Sequence, residues 1–71
     1  MSVEVTAPMQ GKILEIMVKV GDQVKCEDEL LLLEALKMEN PIYAPVDGKV
    51  VELRVAPGAT VEAEQVLIVL D

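Results

Sequence analysis

Two stretches of the chain, residues 12–18 and 49–55, alternate between apolar and polar residues with a period of two. Because successive side chains of a β-strand point to opposite faces, this alternation predicts two strands that are each buried on one face. The side chains expected to face inward are Leu14, Ile16 and Val18 in the first stretch, and Val51, Leu53 and Val55 in the second. Those expected to face solvent are Glu15, Lys19, Glu52 and Arg54.

These two strands belong to a longer internal repeat. Residues 7–34 align with residues 44–71 at a constant offset of 37 without a gap, and ten of the 28 aligned pairs are identical. The identical pairs are Ala7/Ala44, Pro8/Pro45, Gly11/Gly48, Lys12/Lys49, Glu15/Glu52, Val18/Val55, Gly21/Gly58, Val24/Val61, Glu27/Glu64 and Leu30/Leu67. The repeat predicts one domain over residues 1–71, with two similar halves related by a pseudo-two-fold axis.

The segment 28–40 contains conflicting signals. Its leucine-rich sequence has a strong helix propensity, and Pro41 is a helix stop signal. The equivalent segment of the second repeat, QVLIVLD at 65–71, is rich in β-branched residues, which favour strands. Equivalent segments of a duplicated fold share a conformation, and four consecutive leucines fit a strand that is buried on both faces. Residues 29–34 are therefore predicted to form a strand.

Turn signals at Gly21-Asp22 and Pro57-Gly58 complete a prediction of four strands in each half. The predicted strands are 2–6, 12–19, 23–25 and 29–34, followed by 39–43, 49–56, 60–62 and 66–71. Short strands with frequent turns are typical of a small sandwich or a flattened barrel, so the predicted fold class is all-β.

Composition limits the kinds of chemistry that the chain can perform. It is 52% hydrophobic but has no Phe or Trp and one Tyr, so the core must be aliphatic. Because Cys26 is the single cysteine and no histidine is present, we expect neither an internal disulfide nor a metal site. The net charge of −7 would repel nucleic acid. Without a signal-peptide pattern or a long apolar run, we expect a cytoplasmic protein that does not insert into membranes.

Lys37 lies between the two repeats. If the strands on either side form as predicted, the four residues from Ala35 to Met38 join them as a tight hairpin with Lys37 at its tip. Hairpin tips usually contain Gly, Asn, Asp or Pro, whereas here apolar Leu36 and Met38 flank the lysine. A protonated lysine amine is a poor nucleophile, and the chain has no histidine to act as its base. Acylation of Lys37 would therefore need an external enzyme that supplies an activated acyl group.

The segment Glu34-Ala35-Leu36-Lys37-Met38-Glu39 resembles the biotinyl-domain signature Glu-Ala-Met-Lys-Met. The resemblance extends from Ala-Pro-Met-Gln-Gly at 7–11 to the closing Val-Leu-Ile-Val-Leu, and includes Gly-Asp-x-Val at 21–24. It implies a flattened β-barrel (barrel-sandwich hybrid) of two four-stranded antiparallel sheets, with biotin attached covalently to Lys37. It also implies a collar that the ligase recognises, formed by Glu34, Ala35, Leu36, Met38 and Glu39.

The same resemblance implies a carrier domain that has no catalytic activity of its own. A biotin protein ligase would attach biotin to the Lys37 amine as an amide. A biotin carboxylase, using ATP and bicarbonate, would load a carboxyl group, and a carboxyltransferase would pass it to an acyl-CoA or a keto acid. Decarboxylase systems would run the transfer in reverse. The contribution of the domain would be tethering, which raises the effective concentration of the bound group at each active site.

Two departures from the family pattern refine the resemblance. Leu36 occupies a position where the family usually has Met, which is a side chain of similar volume. No insertion is present between Ile16 and Gly21, where bacterial acetyl-CoA carboxylase carriers often have one. The chain is therefore more similar to carriers of acyl-CoA carboxylases, biotin-dependent decarboxylases, transcarboxylase or pyruvate carboxylase.

Two other functions remain open from the sequence. The first is a lipoyl carrier of a 2-oxo acid dehydrogenase complex, which shares the fold but usually has Asp before the lysine and a small residue after it. Leu36 and Met38 depart from that pattern. The second is an unmodified barrel that serves as a structural or interaction module.

Glu34 and Glu39 are interpreted as ligase-orienting or solvated residues and not as a catalytic pair.

Overall fold

The computed structural model describes residues 2–71, which form eight β-strands and no helix. The strands are β1 (Val3–Thr6), β2 (Gly11–Ile16), β3 (Gln23–Val24), β4 (Glu29–Ala35), β5 (Met38–Tyr43), β6 (Gly48–Leu53), β7 (Thr60–Val61) and β8 (Val66–Leu70). They form two four-stranded antiparallel sheets with the orders β1-β8-β6-β3 and β5-β4-β2-β7. The all-β prediction is confirmed, and so is the strand over 29–34. The described residues contain no helical segment that could cross a membrane.

The pseudo-two-fold symmetry predicted from the repeat is confirmed. Positions 37 apart are equivalent, so β1–β4 correspond to β5–β8, and exchanging the two halves carries the first sheet onto the second in the same strand order. The loops obey the same relation. The Glu27 N–H donates to the Ala44 carbonyl at 2.7 Å, and the Glu64 N–H donates to the Ala7 carbonyl at 2.7 Å. The two sheets remain separate hydrogen-bonded units, so the fold is a flattened sandwich and not a closed barrel.

The alternation in β2 and β6 differs from the prediction at one residue in each strand. The pairing register shifts after Ile13 in β2 and after Val50 in β6, as in a β-bulge. A bulge places one extra residue opposite the partner strand and restarts the alternation beyond it. Ile13 and Val50 are fully buried, whereas Leu14 is only partly buried and Val51 is 42% exposed. The inward orientation predicted for Leu14 and Val51 was therefore wrong.

The remaining alternating positions behave as predicted, although both strands end three residues earlier than expected. Ile16, Val18, Leu53 and Val55 pack against the core. Glu15, Lys19, Glu52 and Arg54 are exposed.

The core lies between the sheets, and among residues 2–71 every buried side chain is apolar. The leucine run of β4 contributes most directly, because Leu30, Leu31 and Leu33 have no solvent exposure. Consecutive Leu30 and Leu31 are both buried because the register of β4 against β5 shifts between Glu29 and Leu31. Each fully buried leucine adds about 1.5–3 kcal/mol to the free energy of unfolding relative to an exposed one. These leucines therefore fix β4 in place as far as the hairpin that follows it.

Candidate functional site

The hairpin that contains Lys37 has a shorter link than predicted. Ala35 and Met38 pair with each other as the terminal residues of β4 and β5, so only Leu36 and Lys37 remain in the turn. Their φ angles are 55° and 61°. Positive φ at both central residues of a two-residue loop is the mark of a type I′ turn, whose twist matches that of the flanking strands. Lys37 is therefore held at the tip of a rigid hairpin.

The turn is strained, because neither central residue is a glycine. A non-glycine residue in the left-handed region costs about 1–2 kcal/mol. Among residues 2–71, two other non-glycine residues have positive φ, Glu27 at 75° and Glu64 at 68°, and these two are related by the internal symmetry. The Leu36-Lys37 turn has no such counterpart, since β8 and β1 correspond to β4 and β5 but are not joined by a turn.

The residues next to Lys37 differ sharply in exposure. Leu36 is 85% exposed and Met38 is 64% exposed, so the lysine stands between two apolar side chains that project into solvent. Ala35 is only 5% exposed because it shares the inward face of β4 with Leu33. Of the three apolar residues predicted for the collar, Leu36 and Met38 therefore have exposed side chains and Ala35 does not. Lys37 itself is exposed and forms no salt bridge or hydrogen bond with any of residues 2–71.

Glu34 and Glu39 lie directly opposite each other one step below the turn. Both are exposed, and the alternation of the strands places them on the sheet face opposite to that of Ala35 and Met38. Like charges in directly opposed positions destabilise a sheet, and Lys12, which pairs with Glu34 from β2, offsets part of this repulsion. The two carboxylates give the hairpin a negative outer face and do not line a cleft.

Asn40 is a site residue that the sequence analysis missed. Its side-chain amide, Nδ2, donates to the Met38 carbonyl at 3.0 Å and lies 3.4 Å from the carbonyls of Leu33 and Ala35. These three acceptors surround the base of the turn. Extending the alignment of the two repeats at the offset of 37 places Asn40 opposite Val3. This replacement of an apolar residue by a polar one was the sequence signal that could have identified Asn40.

Comparison with known proteins identifies the family of this fold and hairpin. Residues 3–70 match the biotin/lipoyl family, which is described as "Biotin-requiring enzyme". Glutaconyl-CoA decarboxylase subunit gamma of Acidaminococcus fermentans is 61% identical over 41 residues, which are 58% of this chain and 28% of that subunit. The biotin carboxyl carrier protein of Streptococcus mutans is 56% identical over 36 residues, which are 51% of this chain and 28% of that protein.

Solved structures have the same architecture. The urea carboxylase of Kluyveromyces lactis superposes with a TM-score of 0.94 at 27% identity, covering 100% of this chain and 6% of that enzyme. The chain therefore spans less than a third of the length of each of these relatives. Because the family match covers nearly all of the sequence and includes the lysine hairpin, the chain belongs to the biotin/lipoyl family.

Proposed function

We propose that the chain is a biotin carboxyl carrier domain in which biotin is joined to the Lys37 amine through an amide bond. The observation that carries this proposal is the placement of Lys37, which is exposed at the tip of a type I′ turn between projecting Leu36 and Met38. The amine has no partner among residues 2–71, so its acylation would break no interaction that holds the fold together. An accessible and unpaired amine fits the chemistry of amide attachment.

In this proposal the domain contributes position and not catalysis. Biotin, once attached, supplies a ring nitrogen that takes up and releases a carboxyl group. The hairpin keeps the base of the lysine arm at a fixed point, because β4 is packed through fully buried leucines. The arm beyond the turn remains free to move. A tethered group visits each active site at a high effective concentration, which is the physical advantage of a carrier.

The proposed partners are a biotin protein ligase, a biotin carboxylase and a carboxyltransferase. The names of the relatives support a place in a carboxylase or decarboxylase system, since they include a decarboxylase gamma subunit, a biotin carboxyl carrier protein and a carboxylase. The exposed Leu36 and Met38 offer apolar contacts that a ligase can bury. Glu34 and Glu39 add negative charge on one side of the hairpin, which would orient a partner with a basic surface.

Intact-mass measurement of the chain tests the proposal. The chain is expressed with a biotin protein ligase and biotin, and in parallel with a lipoate ligase and lipoate. A single biotin adduct in the first sample, with no lipoyl adduct in the second, is the expected result. A lipoyl adduct instead would support the 2-oxo acid dehydrogenase carrier, and an unmodified mass in both samples would support an unmodified barrel.

The projecting side chains should govern ligase affinity. Leu36→Ser and Met38→Ser are each expected to raise the KM of the ligase for the domain about tenfold, because the loss of about 1.4 kcal/mol of apolar burial in the complex is a tenfold change. Steady-state biotinylation kinetics measure this effect. Val51→Ser is the matched control, since Val51 is also an exposed apolar residue but lies on β6. A KM for both hairpin variants equal to that of Val51→Ser would contradict recognition through these side chains.

A further inference from the structure

Asn40 occupies a position that the symmetry of the fold assigns to an apolar side chain. Asn40 pairs with Leu33 in β5 and β4, and its counterpart Val3 pairs with Leu70 in β1 and β8. The two positions are equivalent in register, yet one holds a valine and the other an amide. In a duplicated fold, a polar residue at one of two equivalent positions indicates a local requirement that exists in one half only.

The contacts of the amide point to that requirement. Nδ2 of Asn40 donates to the carbonyl of Met38, the first residue after the turn, and lies 3.4 Å from the carbonyl of Ala35, the last residue before it. One side-chain group therefore connects the two strand ends that the Leu36-Lys37 turn must join. The equivalent ends of β8 and β1 have no turn to support.

The turn itself needs support. Leu36 and Lys37 both have positive φ, which residues other than glycine rarely adopt. Without a brace, such a turn exchanges with other conformations. The apparent affinity of a partner that binds only one conformation is then lowered in proportion to the fraction of molecules in that conformation.

We propose that Asn40 is the positioning residue of the attachment hairpin. Its amide holds the Leu36-Lys37 turn in the left-handed conformation in which the ligase binds Lys37. The inference rests on the proposed function, because it takes Lys37 as the attachment site. It adds a determinant of ligase specificity that lies inside the hairpin and does not touch the reacting amine.

Ligase kinetics on two substitutions test the proposal. Asn40→Val installs the residue found at the equivalent position, and Asn40→Asp keeps the shape of the side chain but removes its N–H donors at neutral pH. Both variants are expected to raise KM roughly threefold to tenfold, the range that corresponds to the loss of one hydrogen bond. The kcat should stay within twofold, because the correctly folded fraction reacts normally. Gln23→Val, which removes an exposed amide from β3, is the matched control and should leave both constants unchanged.

A double-mutant cycle separates positioning from a general loss of structure. Leu36→Asn places in the turn a residue that accepts positive φ easily, so the turn should depend less on its brace. In the Leu36→Asn background, Asn40→Val is expected to change KM less than twofold. An equal factor in both backgrounds would overturn the inference.

A measurement on the unmodified domain keeps the inference independent of biotin attachment. In Asn40→Val, the Met38 amide is expected to exchange its hydrogen faster, and the NMR couplings of Leu36 and Lys37 should move towards conformational averaging. Unchanged exchange and couplings would contradict the brace even if biotinylation proceeds normally. If instead wild-type protein acquired biotin elsewhere, the proposed function would fail while the exchange data still decided the role of Asn40.

Discussion

Replacing Lys37 with arginine is expected to abolish biotin attachment while leaving the fold intact. Arginine keeps the positive charge and a similar length, but its guanidinium is always protonated and does not take the place of the acylated amine. The side chain is exposed and has no partner among residues 2–71, so the free energy of unfolding should change by less than about 0.5 kcal/mol. Intact mass after expression with the ligase measures the first effect, and urea unfolding measures the second.

Two lysines elsewhere serve as controls for this result. Lys49→Arg changes an exposed strand residue, and Lys25→Arg changes an exposed residue in a loop. Both variants should carry one biotin, as the wild type does. A full biotin adduct on Lys37→Arg would show that Lys37 is not the attachment site. Loss of the adduct in Lys25→Arg would indicate attachment at Lys25 instead.

The features predicted correctly from the sequence are those that the repeat encodes twice. Residues 29–34 have the composition of a helix, and their alignment with the β-branched segment 66–71 was the main indication of a strand. The position of Lys37 at the junction of the halves followed from the same alignment. A duplicated sequence contains two independent records of one local structure, so a misleading propensity in one copy can be corrected by the other.

The features that were missed depend on contacts between strands. The bulges that bury Ile13 and Val50 arise from the pairing of β2 with β4 and of β6 with β8, and the apolar sequence of each strand also fits an unbroken alternation. The turn was predicted with four residues because nothing in the local sequence indicates that Leu36 and Lys37 accept positive φ. The hydrogen bonds of Asn40 form only when the hairpin is folded, and the difference from Val3 was their one sign in the sequence.

Gly11→Ala is expected to give a large loss of stability, because Gly11 in β2 lies directly against the backbone of β4. A Cβ atom added there would overlap the carbonyl oxygen of Glu34 and lie 3.0 Å from Cδ1 of Leu33. Gly11 does not have positive φ, so its requirement is for space and not for backbone freedom. Both neighbours belong to the tightly packed central strand, so relief requires the sheet to shift. We expect a loss of about 3 kcal/mol, which lowers the Tm by roughly 12–24 °C in a domain of this size.

The symmetry of the fold supplies the control for this prediction. Gly48 is the equivalent of Gly11, but a Cβ there would lie 3.3 Å from the carbonyl oxygen of Asp71 and 3.6 Å from Cβ of Leu70, so a small shift suffices. Gly48→Ala should cost less than about 1 kcal/mol in the same unfolding experiment. Equal losses for the two variants would contradict the prediction, because the closer approach at Gly11 would then have no effect on the free energy of unfolding. A larger loss at Gly11 would confirm that β2 and β4 leave no room for a Cβ atom beside the strand that leads into the Lys37 hairpin.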